Sequence, residues 1–152
     1  MRKFVIAALV LASSVVAAEA RTEWRGAGRL VALNQTCIDV GWTKGAKANL
    51  RFRPSGISDN GNMSQFATHL PYFAFGVRRT GRFGSALRGV QAFGVAAGGY
   101  GPIRGARFRF VSISPADFTA DTPAITVVAE FTNYGGDAGC TLRWKGRIRR
   151  TN

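Results

Sequence analysis

In this chain the residues whose spacing implies chemistry are cations rather than acids or nucleophiles. In CTLRWKGRIRR, residues 140–150, Arg143, Lys145, Arg147 and Arg149 recur at every second position, alternating with Leu142, Trp144, Gly146 and Ile148. A period of two describes a half-buried strand, with its apolar side chains on one face and its cations on the other. Successive cations on such a strand stand roughly 6.5–7 Å apart, a spacing suited to a polymer of phosphate, sulfate or carboxylate groups.

A second cationic region runs from residue 60 to residue 116, which contain no Asp or Glu. It holds Arg78, Arg79, Arg82, Arg88, Arg104, Arg107 and Arg109, interleaved with His69, Tyr72, Phe73, Phe75, Phe83, Phe93, Tyr100, Phe108 and Phe110. Cations beside aromatic faces hold anionic ligands by charge, stacking and cation–π contact. The alternation in RFRF, residues 107–110, instead sends the rings to a core and the arginines to solvent. Together the two regions name Arg143, Lys145, Arg147, Arg149, Arg78, Arg79, Arg82, Arg107 and Arg109 as candidate anion-binding residues.

Catalysis and cofactor binding have less to build on. His69 is the one histidine, and a hydrolase would have to combine it with Ser64 or Ser58 and an aspartate, without a G-x-S-x-G elbow. Asp117 and Asp121 flank a proline-bordered connection, where turn and capping roles suit them. The SDNGN stretch lacks the acidic spacing of a calcium loop. The glycines between Gly84 and Gly105 match neither common phosphate-binding pattern and read as a loop or hairpin at a barrel mouth. The expectation is a protein that is not an enzyme and carries no metal or cofactor.

The first twenty residues, MRKFVIAALVLASSVVAAEA, begin with Arg2 and Lys3, continue with an apolar run and end in small residues. That order is expected of a secretory leader cleaved after Ala20, with the apolar run too short to span a bilayer. Residues 21–152 then form a single β domain. Losing Arg2, Lys3 and Glu19 takes the formal charge of the whole chain, +13, to +12 for the remainder. Arginine, whose planar fork fits oxyanions, supplies most of that charge. Cys37 and Cys140 are the only cysteines, and in an exported chain they pair as one disulfide. The expected setting is periplasmic or secreted.

The elements that must position the cations read as strands. AITVVAEFTNY alternates Ile125, Val127, Ala129 and Phe131 against Thr126, Val128, Glu130 and Thr132, and GGDA follows as a turn. Pairing residues whose numbers sum to 273 sets Phe131 opposite Leu142, Ala129 opposite Trp144 and Glu130 opposite Arg143, the last a cross-strand salt bridge. Further strands are expected near 23–33, 37–42, 48–54, 71–79, 87–95 and 106–114, with helical turns at 114–117 and within 62–70. Cys37 follows the first strand and Cys140 opens the last, so their bond sets those strands side by side. The expected fold is all-β: a small antiparallel β-barrel of about seven or eight strands, with a β-sandwich as the alternative.

Three functions fit these features. The first is a basic binding module for an anionic polymer or envelope surface, such as lipopolysaccharide, acidic polysaccharide or extracellular nucleic acid. The second is a carrier for a small apolar ligand inside the barrel. The third is a small outer-membrane barrel, which would need partners for its many cations inside a narrow lumen.

Overall fold

The computed structural model describes residues 22–57, 61–82, 91–96 and 99–151, with the backbone alone for 91–96 and 99–102. The expected leader, Ser58, Phe83 and Arg88, and the side chains of Phe93 and Tyr100, lie outside the described residues. In chain order the elements are β1 (Glu23–Leu33), α1 (Gln35–Asp39), β2 (Lys47–Arg53), β3 (Met63–Leu70), β4 (Phe73–Thr80), β5 (Gln91–Ala96), β6 (Gly99–Ile103), β7 (Arg107–Ser114), β8 (Ala124–Thr132) and β9 (Thr141–Thr151).

All nine strands belong to one antiparallel sheet of order β6-β5-β4-β3-β2-β1-β9-β8-β7. Apart from β6 and β7, strands consecutive in sequence are neighbours in the sheet, and β9 returns to β1. Only the β6–β7 step lacks ladder pairing, so those two strands are the edges of a sheet curled into an open barrel rather than halves of a sandwich. Curling brings Phe52 and Phe66 of β2 and β3 against Phe110 and Phe108 of β7, with ring centroids 5.1 and 5.3 Å apart.

The β8–β9 hairpin has the register in which paired residue numbers sum to 273 along its whole length, from Ala124↔Arg149 to Thr132↔Thr141. Large residues meet small ones there, as in Ala129↔Trp144 and Val127↔Gly146. Ile125, Val127, Ala129, Phe131, Leu142, Trp144 and Ile148 are all buried. A slip of one residue would send one of these rows outward, which is why the register is unique.

β1 and β9 approach closely where Gly28 faces Gly146. A Cβ added at Gly146 would sit 2.6 Å from the Ala27 carbonyl oxygen and 2.7 Å from Leu50 Cδ1. The absent side chain therefore lets two backbones close and lets Leu50 fill the space beneath them. Beyond this glycine pair the Cys37–Cys140 disulfide ties α1 to the start of β9, across 103 residues of sequence. Asn34 fixes the same corner, because its Oδ1 accepts from the amides of Cys37 and Thr141 and its Nδ2 donates to the Gly139 carbonyl.

The interior is aromatic and contains a small polar group. Thr68 donates to the Phe75 carbonyl and also bonds the Tyr134 hydroxyl, with all three residues buried. Burial pushes the Tyr134 hydroxyl far above the ordinary tyrosine value, against the opposing effect of that bond. Among the described residues the Trp144 indole N–H finds no hydrogen-bond partner of normal geometry.

Three local expectations are corrected. Residues 37–42 do not form a strand: Asn34 caps a helical turn at α1, and Gly41, at φ +95°, follows its end. The β-branched Ile38 and Val40 raise strand propensity, but the cap and the disulfide decide the conformation. In place of a helical turn within 62–70, Met63–Leu70 form the strand β3, with Ser64, Phe66 and Thr68 inward and Gln65 and His69 outward. Hydroxyls on the core face hid that alternation. Of residues 114–117, Ser114 ends β7 and 115–117 form a bend and turn without a helix. The chain there is drawn inward by Phe118, whose ring packs on Trp24 at 5.6 Å, while Trp24 Nε1 donates to the Thr122 carbonyl.

Candidate functional site

The cations of β9 form one part of a larger face. Arg25 and Arg29 of β1, and Lys47 and Arg51 of β2, share the outer side of the sheet with Lys145, Arg147 and Arg149. The register aligns them in two cross-strand rows. In one, Arg29 stands opposite Lys47 on one neighbour and Lys145 on the other; in the second, Arg25 stands opposite Arg51 and Arg149. Among the described residues no salt bridge involves Arg29, Lys47, Lys145, Arg147 or Arg149.

Two buried carboxylates organise the neighbouring arginines. Glu23 accepts from Nε of Arg51 at 2.7 Å and of Arg53 at 2.5 Å, and pairs with Arg25. Glu130 accepts from Arg109 at 2.7 Å and from Arg143 at 2.5 Å, clamping β7, β8 and β9 together. Burial acts to raise both carboxyls, but the arginine hydrogen bonds and charges outweigh it and hold them below the ordinary 4.5. Since the unfolded chain binds these protons first, their stabilisation is complete above the ordinary value and is lost as pH falls through the depressed ones. The denaturant midpoint is therefore expected to fall once the pH drops below about 5, and less steeply in an E23Q/E130Q variant. An equal acid slope in both proteins would contradict this assignment.

The second candidate group does not form one patch. Arg78 lies on the outer side of β4 opposite Gln65, and Arg79 follows on the other side opposite Ser64. Arg82 borders a pocket at one mouth of the barrel, Arg107 is exposed on β7, and Arg109 is held by Glu130. Arg143, named with the β9 row, is likewise committed to Glu130.

Between the two cationic rows the outer face is low. Ala27 borders depressions on both sides, one of about 480 Å³ shared with Asn49, Arg51 and His69, the other of about 530 Å³ shared with Thr126, Lys145 and Arg147. Partial burial, then the charges of Arg51 and Arg25, lowers the His69 imidazole below its usual value, so it is neutral at pH 7. The mouth pocket, of about 460 Å³, is lined by Phe52, Ile57, Phe110, Ile113 and Phe118 together with Ser64, Arg82 and Asp117.

Of the residues considered for catalysis, Ser64 and Asp117 line the mouth pocket, and His69 is separated from them. Ser64 is buried and accepts the Ser55 amide, whereas His69 is exposed on the opposite face of β3. Asp121 lies near Arg150. Among the described residues no three His, Cys, Asp or Glu side chains are grouped to hold a metal ion, and no helix is long and apolar enough to cross a membrane.

Sequence reasoning missed Arg25, Arg29, Lys47 and Arg51 as partners of the β9 row. Their alternation was visible in EWRGAGR and KANLRFR, but the pairing of β1 with both β2 and β9 is what makes one surface of them. Comparison with protein-family models, curated proteins and solved structures finds no match.

Proposed function

We propose that this protein is an exported, disulfide-stapled binding module whose cationic face, spread over β2, β1 and β9, engages an anionic polymer or envelope surface. The observation that carries the reading is the pair of rows Lys47–Arg29–Lys145 and Arg51–Arg25–Arg149. Like charges directly opposite one another on neighbouring strands repel, so the sheet holds them at a cost in stability. A polyanion laid over the face offsets that repulsion and gains entropy by releasing counterions. Charge that served solubility alone would be interspersed with the opposite sign rather than aligned. Phosphates of lipopolysaccharide, acidic polysaccharide and nucleic acid all supply the required chemistry. Export is supported by the leader-like first twenty residues and by the disulfide, which belongs to an oxidising compartment. Exposed cations outside and aromatic packing inside oppose a lipid-facing exterior.

The test compares retention on heparin with retention on an ordinary cation exchanger. An R29Q/K145Q/R147Q variant is set beside an R82Q/R104Q/R107Q control of equal net charge. The expected result is that the first variant loses heparin retention selectively while the control keeps it. Equal losses on both resins by both variants would reduce the face to bulk charge.

The mouth pocket favours a second reading, in which a small apolar molecule sits among Phe52, Phe110 and Phe118. Native mass spectrometry of the purified protein is the check: a bound small molecule released by F110A supports this reading, and an empty mass opposes it.

A further inference from the structure

The trough between the two cationic rows narrows the class of ligand, on the reading that the face binds polyanions. Residues 25 and 29 of β1 lie four positions apart, which separates the rows by roughly 13 Å, while neighbouring cations within a row are separated by one strand spacing, roughly 4.8 Å. The rows therefore wall a channel that crosses the strands rather than following any one of them. Its floor is built from short side chains: Asn49 of β2, Ala27 of β1 and Thr126 of β8, with Arg147 rising from β9. Asn49 pairs with His69, so the channel continues onto β3, and Arg147 pairs with Thr126, so it continues onto β8. The depressions on either side of Ala27 meet at that residue, which lines both.

Two cations of one wall are held in place before any ligand arrives. Glu23 fixes Arg25 and Arg51 through one carboxylate, and each guanidinium has more donors than that carboxylate engages. Pre-ordering of long side chains lowers the entropic cost of binding.

The floor separates the polyanion classes. Single-stranded nucleic acid is held by stacking its bases on aromatic rings in a basic groove. The outer faces of β1, β2, β3, β8 and β9 carry no Phe, Tyr or Trp, because those rings point to the core, and the single imidazole of His69 at the β3 end is the one ring along the trough. Amide and hydroxyl groups such as those of Asn49 and Thr126 instead match the donors and acceptors of sugar hydroxyls. We infer that the trough binds a single chain of an acidic polysaccharide laid across the strands, its carboxylate or sulfate groups against the cationic walls and its hydroxyls against the floor.

The test blocks the floor without altering charge. Ala27 is exposed and points outward, so A27W fills the trough from β1, and T126W fills it independently from β8. Binding of a heparin octasaccharide, a single-stranded oligodeoxynucleotide and a polyphosphate of similar charge is measured for the wild type and both variants, with circular dichroism to establish folding. The expected result is that the wild type prefers the octasaccharide, and that either folded variant loses about tenfold or more of that affinity with unchanged retention on a cation exchanger. Unchanged octasaccharide affinity in both tryptophan variants, with loss in R29Q/K145Q/R147Q, would overturn the trough and leave the polyanion face standing. Unchanged affinity in all three variants would overturn the face as well. Equal or tighter binding of the oligonucleotide or the polyphosphate by the wild type would also overturn the choice of polysaccharide.

Discussion

Replacing Cys37 and Cys140 with serine is expected to destabilise the domain by about 4–5 kcal/mol, the chain-entropy value for a loop of this length. The bond spans 103 residues, and nearly every strand lies inside the loop it closes. Its position makes the effect structural as well as entropic. The disulfide, the Asn34 cap and the β1–β9 ladder all secure the same corner, where the last strand returns to the first. With the β6–β7 edges unpaired, that return is what turns two runs of neighbouring strands into one curled sheet. A stability of 5–15 kcal/mol is typical of a whole domain, so this loss leaves little in reserve. Urea unfolding of the oxidised protein and the double serine variant measures it directly. A midpoint unchanged by the substitution would show that the ladder alone holds the corner.

The R29Q/K145Q/R147Q variant is expected to bind polyanions more weakly and yet to fold more stably. Its two effects come from the same residues. Removing Arg29 and Lys145 abolishes the like-charge contacts Arg29–Lys47 and Arg29–Lys145, for a gain of about 0.5 kcal/mol after screening by solvent. The same change withdraws three cations from the ligand, so the slope of log affinity against log salt is expected to flatten by about 2–3. Opposite signs in stability and affinity distinguish a functional face from a merely structural one. A variant that lost both together would mean that the cations support the fold, and a variant that lost neither would mean that they do nothing specific.

Much of the architecture was legible because its alternation was clean. β8 and β9 could be paired residue by residue, since each apolar side chain had an apolar counterpart and a slip exposed a whole row. The cysteine spacing likewise implied that the first and last strands are neighbours. Legibility failed where polar groups face inward or a side chain caps the backbone. Ser64 and Thr68 are core residues satisfied by the Ser55 amide, the Phe75 carbonyl and the Tyr134 hydroxyl, partners that no local pattern reveals. Gly99–Ile103 was not anticipated as a strand, because glycine and proline carry little strand propensity. The candidate site was half visible for a related reason. A single strand discloses which of its side chains point outward, but not which neighbour extends the row. Lys145 and Arg149 gain their meaning from Arg29 and Arg25, more than a hundred residues earlier in the chain.

A polyanion seated on the face formed by β2, β1 and β9 would lie against its arginine side chains, which report on it directly. Nuclear magnetic resonance of the Nε–H groups, followed during titration with a heparin octasaccharide, locates the ligand by residue. The signals of Arg25, Arg29, Arg147 and Arg149 are expected to move together and saturate, while those of Arg104 and Arg107 stay in place. Shifts confined to Arg78, Arg82, Arg104 and Arg107, or small shifts spread evenly over every exposed arginine, would contradict it.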